Sequence, residues 1–264
     1  MHRFFVAPGA VTGGSVHLTG PQAHQVSSVL RLRTGDTIAV LDDTGFETEV
    51  ELTAVTNERV EGRVVRRSLV KAEPRTKVTL FPSLLKGERF ELVLQKATEL
   101  GVAAIVPVLS ERCVVSHLDD ASAKFNRWRR IVLEAAEQSG RGKLPPVHPV
   151  ELFDNAVKKA TGLALLPWEG ERRTDLRATL REPFGVGGAG RPFSVALFVG
   201  PEGGYSEGEV KHARAANVQV VTLGSRVLRA ETAAIAALTV VLYEAGELAA
   251  SEPPRRRGPG REQR

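Results

Sequence analysis

A single cysteine, Cys113, serves the whole 264-residue chain, so no intramolecular disulfide braces it and a reducing compartment is the expected setting. Six histidines lie scattered without the His/Cys spacing of a metal centre, and no metal is expected. Long apolar runs are missing too. The longest uncharged and largely apolar stretch, Thr232 to Tyr243, has 12 residues, against the roughly 18 or more needed to span a bilayer. No membrane helix is expected. The opening Met-His-Arg-Phe-Phe-Val-Ala-Pro-Gly runs out of apolar residues at Ala7, short of a signal-peptide core, so a cytoplasmic protein is expected. Nor is there a Walker A loop, because Gly142-Lys143 leads into Leu144 without the earlier glycine spacing. Nucleoside triphosphate chemistry is not expected.

What is present is an ordinary globular composition, 42% hydrophobic and 25% charged, which excludes wholesale disorder and a fibrous repeat. The net charge of +5 is unevenly spread: the last residues, Ser251 to Arg264, hold five Arg and two Glu. The body is therefore nearly neutral, and the basic balance alone does not call for a polyanion. Between Lys124 and Lys143, however, six basic residues face two acidic ones beside Trp128. Such a stretch suits either phosphates or, more commonly, a solvated helix face.

Length and pattern suggest two domains. Up to about residue 72 the chain reads as short strands, Ser15–Leu18, Thr37–Leu41, Glu47–Val55 and Arg59–Val65, with one helical stretch over Pro21–Leu32; a small β barrel is the economical reading. Lys71–Arg75 loses the periodicity and marks a boundary. Beyond it strands and helices alternate. Strands are expected at Thr76–Phe81, Val102–Val108, Leu163–Leu166, Phe193–Val199 and Val218–Leu223. Helices are expected at Glu88–Leu100, from Phe125 to Ser139, and at Glu151–Ala160, Ser206–Ala216 and Glu231–Leu248. That alternation implies an α/β domain with a mainly parallel sheet whose ligands sit at the strand C-terminal ends.

Gly185 to Gly190 has the letters G-x-G-x-x-G, but Arg191-Pro192 and a strand follow it where the dinucleotide fingerprint needs a helix, so a loop is the better account. Gly200-Pro201-Glu202-Gly203-Gly204 is richer. It leaves an apolar strand and enters a helix through Ser206-x-x-Glu209, a capping box, and its glycines permit positive φ and close backbone approach to a ligand. A tight strand-to-helix turn is the competing reading. The next strand repeats the arrangement with Gly224-Ser225-Arg226-Val227-Leu228-Arg229-Ala230-Glu231, and two such loops at neighbouring strand ends would line one pocket. Its charged residues suit a polar site or a solvated helix start equally.

Gly200–Gly204, Leu223–Thr232, Gln95–Gly101 (Q-K-A-T-E-L-G), Ser110–Cys113 (S-E-R-C) and Glu134–Arg141 (E-A-A-E-Q-S-G-R) together resemble the ribosomal RNA small subunit methyltransferase E family, over Arg3 to about Leu248. The resemblance implies an α/β protein in two parts: an N-terminal PUA-like β barrel over 1–72 that holds RNA, and a C-terminal SPOUT domain over 73–250 with a deep trefoil knot. The basic tail over 251–264, which has no counterpart in the family motifs, is expected to be disordered. The resemblance implies methylation of N3 of a specific uridine in 16S ribosomal RNA of the small subunit, with S-adenosylmethionine as cofactor, by a homodimer.

Carried over position by position, Leu166, Pro167, Gly200, Pro201, Gly203, Gly204, Leu223, Gly224, Val227 and Leu228 would hold the cofactor. Trp168, which follows the first loop's proline, departs from some relatives. Arg3, Arg31, Arg33, Lys86, Arg112 and Arg141 are the RNA-contact candidates. Uracil N3 carries a proton that must leave, so Glu202 is the candidate acceptor and Arg229 the candidate cation for charge on O2 or O4. Glu202 capping its own loop, and Arg229 pairing with Glu231, are the structural alternatives. Two other functions stay open at this stage, a noncatalytic RNA-binding ribosome-assembly factor and a SPOUT ribose 2′-O-methyltransferase.

Overall fold

In the computed structural model, which describes residues 1–7, 9–114, 123–185 and 192–249, the N-terminal alternation forms one six-stranded sheet. Its strands are β1 (His2–Phe5), β2 (Val11–Thr12), β3 (Ser15–Thr19), β4 (Thr37–Leu41), β5 (Phe46–Val55) and β6 (Arg59–Leu69), in the order β1-β4-β5-β6-β3-β2. Val16, Leu18, Ile38, Val40, Val50, Leu52 and Val60 are buried in a single core, as a period of two requires when one face is covered. The stretch expected to be helical starts as α1 (Gly20–His24), then widens into a π-helical turn over Gln25–Val29. There Ser27 Oγ donates to the Ala23 carbonyl at 2.8 Å, the kind of side-chain bond that competes with the helical ladder. Ala23 and Val26 close the core, and Arg31 ends the turn at a φ of 56°.

β1 escapes a reading from periodicity, because it is short and pairs parallel with β4 while the other pairings of this sheet are antiparallel. No pairing among the described residues joins the edge strands β1 and β2, so the sheet is not closed by hydrogen bonds.

The remaining strands are β7 (Lys77–Pro82), β8 (Ala104–Ile105), β9 (Val108–Leu109), β10 (Glu151–Leu152), β11 (Leu163–Pro167), β12 (Ser194–Val199) and β13 (Gln219–Val221). Five of them form an all-parallel sheet, β13-β11-β12-β7-β8, while β9 pairs with β10 and bridges to Ser83 just past β7. The single strand expected over Val102–Val108 is split at Pro107, which has no N–H for a ladder. Likewise the helix expected from Glu151 starts later, since Glu151-Leu152 is drawn into the pairing with β9.

Among the described residues six helices cover this sheet: α2 (Glu88–Leu100), α3 (Phe125–Ser139), α4 (Phe153–Lys159), α5 (Leu176–Phe184), α6 (Glu207–Ala215) and α7 (Ala230–Glu244). Along β12, Val195 and Leu197 pack on one side with α2, α3, α5 and α7, and Ala196 and Phe198 on the other with α4 and α6. Both faces are buried, which is why the central strands read as continuous apolar runs. Phe81 and Phe198 stack with centroids 4.4 Å apart on the second side. α5 has no forerunner in the sequence reading. Its signals are Asp175, which accepts from Ala178 N–H at 2.7 Å as an N-cap, and the buried Leu176, Leu180 and Phe184 at helical spacing. Gly185 ends that helix, its N–H donating to Arg181 O at 2.8 Å; the rest of the glycine run, residues 186–190, and the tail 251–264 lie outside the described residues.

The two sheets meet at the C-terminal end of α3. Arg141 is 3% exposed, and its guanidinium donates to both oxygens of Glu73 at 2.9 Å and to the carbonyls of Thr98 and Val102 at 3.0 Å. The Gly142 and Lys143 amides donate to the same Glu73, and Glu137 accepts from the Phe5 N–H of β1 at 2.9 Å. This corrects the expectation that Arg141 meets RNA: a buried guanidinium with these four bonds is a structural latch.

Burial pushes the Glu73 carboxyl up, but the Arg141 pair and the two amides outweigh it and hold the group below the usual carboxylate range. A depressed folded-state value means its stabilisation is complete above the ordinary range and lost as pH falls through the folded value. Arg141→Leu leaves Glu73 mostly buried with two amide donors but no counter-charge, and is expected to lower stability by about 3–5 kcal/mol near neutral pH. Urea unfolding of both proteins towards acid checks this: the gap between them should narrow, and a gap independent of pH would remove the carboxylate from the explanation.

Candidate active site

Because β11, β12 and β13 run parallel, their C-terminal ends fall on one edge, with Pro167 level with Val221, and Val199 level with Pro82 of β7. The chain leaves each end in a loop: Pro167-Trp168-Glu169, Gly200–Gly204 and Thr222–Leu228. Together with Arg89 of α2 and the first turn of α7, they line a cavity of about 480 Å³. Pro167, Gly200, Pro201, Gly203, Gly204, Leu223, Gly224, Val227 and Leu228 all line it, as do Glu202 and Arg229. Leu166, also expected there, is fully buried one residue back in β11. Trp168 joins the lining.

The glycines serve different purposes. Gly204 has a φ of 67°, and a Cβ there would run into the Glu169 carboxylate. At Gly203 a Cβ would come within 2.9 Å of Arg112 Cβ, so the missing side chain makes room for a protein neighbour rather than for a ligand. Gly224, at a φ of 109°, faces open space with nothing within 4 Å of a Cβ position. It is the place where backbone lies bare to whatever fills the cavity.

The loop is braced from below. Ser206 and Glu209 form the capping box, with Ser206 Oγ accepting from Glu209 N–H at 3.2 Å and Glu209 accepting from Ser206 N–H at 2.9 Å. Glu209 also accepts from Glu111 N–H at 2.9 Å, and Ser206 Oγ donates to Glu111 at 2.6 Å. Arg112 then donates to the Gly203 carbonyl at 3.1 Å. The Ser110–Cys113 motif therefore fixes the glycine loop, a role that sequence reasoning missed because the two segments are far apart along the chain. Burial pushes the Tyr205 phenol and the Cys113 thiol up, which keeps both protonated and makes neither a base.

Three carboxylates line the cavity, in different surroundings. Glu202 Oε1 accepts from Lys86 N–H at 3.1 Å and lies 3.4 Å from Arg89. Glu169 is exposed and packs on Gly204. Glu231 is 8% exposed, and its Oε2 is buried with no hydrogen-bond partner among the described residues. Arg229, at the N-cap of α7, is exposed and makes no ion pair among the described residues, Glu231 included. Of the basic candidates outside the cavity, Arg31, Arg33 and Lys86 are exposed with side chains unpaired among the described residues, whereas Arg3 is held by Glu47 at 2.8 Å. Among the described residues no group of acidic, His or Cys side chains is arranged to hold a metal, and no helix is long and apolar enough to cross a membrane.

Comparison with known proteins gives this geometry its context. Residues 71–242 match the RNA methyltransferase domain family. The chain is 37% identical over 245 residues to ribosomal RNA small subunit methyltransferase E of Synechocystis, covering 91% of this chain and 77% of that protein. It is 33% identical to the Bacillus subtilis protein of the same name, covering 86% and 89%. Among solved structures, the Neisseria gonorrhoeae ribosomal RNA small subunit methyltransferase E bound to S-adenosyl methionine superposes with a TM-score of 0.81 at 34% identity, covering 92% of this chain and 97% of that one. The match spans both sheets and all three loops of the cavity, and by it the chain belongs to the ribosomal RNA small subunit methyltransferase E family of RNA methyltransferases.

Proposed function

We propose that this protein methylates N3 of a specific uridine in 16S ribosomal RNA of the small ribosomal subunit, using S-adenosylmethionine. The observation that carries the reading is the convergence of three loops from neighbouring parallel strands on one cavity. Bare backbone at Gly224 and an unpartnered buried carboxylate at Glu231 fit a polar cofactor held close to the chain. So does the S-adenosyl methionine in the Neisseria gonorrhoeae relative. A noncatalytic assembly factor needs no such cavity. As family properties, residues 1–72 are assigned the RNA-holding PUA-like role, on a six-stranded sheet left open between β1 and β2 among the described residues, and 73–250 the SPOUT domain with its trefoil knot. The chain works in the cytoplasm as a homodimer, a state supported by the large apolar side chain left exposed at Val227 on the cavity rim.

When bound, the cofactor supplies a methyl group activated on a sulfonium. The chain must then orient the uracil and manage its N3 proton. Glu202 lies on the cavity wall with Oε1 fixed by Lys86 and Arg89, which leaves Oε2 to accept that proton. Arg229 has its planar donor fork available for negative charge developing on O2 or O4. Arg31, Arg33, Lys86 and Arg112 are the cations offered to RNA phosphates, and Arg3 contributes at the sheet junction.

Incubation with small subunits lacking the modification, followed by mass mapping of the RNA, tests the function directly. A methyl on one uracil base is the expected product; a ribose methyl, which blocks cleavage at the adjacent phosphate, would redirect the assignment to 2′-O chemistry. Glu202→Gln should lower the single-turnover rate ~10²-fold with cofactor affinity nearly unchanged. Arg229→Lys should also lower the rate and leave RNA affinity alone, and a loss of cofactor binding instead would make it structural.

Gly203→Val sets a branched side chain against Arg112 and should abolish cofactor binding in a folded protein, as calorimetry would record. The pair Arg31→Ala and Arg33→Ala should weaken RNA binding and flatten its log–log salt slope by about one unit per lost contact. An unaltered slope would take the N-terminal sheet out of RNA capture.

A further inference from the structure

Glu231 is the one carboxylate on the cavity wall, among the described residues, that has been taken out of water without receiving a donor. Glu202 has an amide and a guanidinium, and Glu169 has solvent. Glu231 has neither: no hydrogen bond or ion pair ties it to a described residue, although Arg229 stands two positions earlier. Its place in the first turn of α7 puts it near the positive end of a helix, which eases the charge but gives Oε2 no N–H. Buried polar groups are otherwise nearly always bonded, and the exceptions call for a ligand or a functional reason. A carboxylate left in this condition is completed by a cation that arrives with the ligand.

We infer that the Glu231 carboxylate receives the positive charge of the bound cofactor. The inference rests on S-adenosylmethionine as the occupant of the cavity. That molecule carries a sulfonium and an α-ammonium against one carboxylate, hence a net positive charge, and either cation provides the chemistry that Glu231 lacks. The substrate base is a poorer match. RNA reaches the cavity from its exposed rim, where Arg226, Val227 and Arg229 stand, whereas Glu231 is sunk in the wall. A cation there also keeps the remaining positive charge of the rim free for the RNA.

Glu231→Gln keeps the shape and removes the charge. Calorimetry on the full chain would compare three probes: S-adenosylmethionine, S-adenosylhomocysteine, which keeps the ammonium and lacks the sulfonium, and 5′-methylthioadenosine, which lacks both. The variant is expected to bind S-adenosylmethionine at least tenfold more weakly and 5′-methylthioadenosine as the wild type does. Equal loss for S-adenosylhomocysteine assigns the contact to the ammonium; retained affinity for it assigns the contact to the sulfonium. Native affinity for all three, or an equal loss for all three including the uncharged probe, overturns the inference. Thermal unfolding without ligand adds a check: removing an unpartnered carboxylate should leave the midpoint unchanged or raise it, and a fall would make Glu231 structural. A wild type that binds none of the three would instead sink the cofactor reading beneath it.

Discussion

The parallel register of β11, β12 and β13 is the constraint from which the rest of the site follows. Strands that run the same way deliver their C-terminal ends to the same edge, so the segments leaving Pro167, Val199 and Val221 have no choice but to meet. Both faces of the sheet are covered by helices, which closes the sides and leaves that edge as the opening. The loops then need local reinforcement, because glycine-rich backbone has little conformational preference of its own. Glu209 supplies it by serving Ser206 and Glu111 at once, and Arg112 holds the Gly203 carbonyl.

Electrostatics divides the arginines into two kinds. Arg141 is buried with a bidentate acid and two carbonyls, so it pins the segment linking the two sheets to the end of α2 and is almost withdrawn from solvent. Arg31, Arg33 and Arg229 are solvated and unpaired among the described residues, which leaves their charge free to act over distance. The same residue type is thus a rivet in one place and an attractor in another, and only burial tells them apart.

That distinction marks what could be read in advance. The amphipathic spacing of Phe90, Val93, Leu94 and Ala97 defined α2 to its ends, with Gly101 as its left-handed stop. The two glycine loops and the capping box at Ser206 were equally legible, because turn and cap chemistry is local. α5 was not, since Pro183 and the following glycines obscured a nine-residue helix whose cap is a lone Asp175. β1 was hidden because its partner is a strand more than thirty residues away, and parallel pairing leaves no turn signal nearby. Arg141 and Glu231 were read as charges on a line of sequence. Their roles depend on how much water the fold removes from each.

Among the described residues the cavity draws on Arg89 and then on nothing until Pro167, and it is completed by Glu231 and Ala233. As the chain emerges from the ribosome in order, most of it is already outside the tunnel before the last wall can be built. A nascent chain ending short of α7 therefore has no complete place for a small molecule, and ligand can stabilise only a chain that already includes that helix. The early portion must hold itself together through its own core until then, a task that falls to the six-stranded sheet, which shares no residue with the cavity.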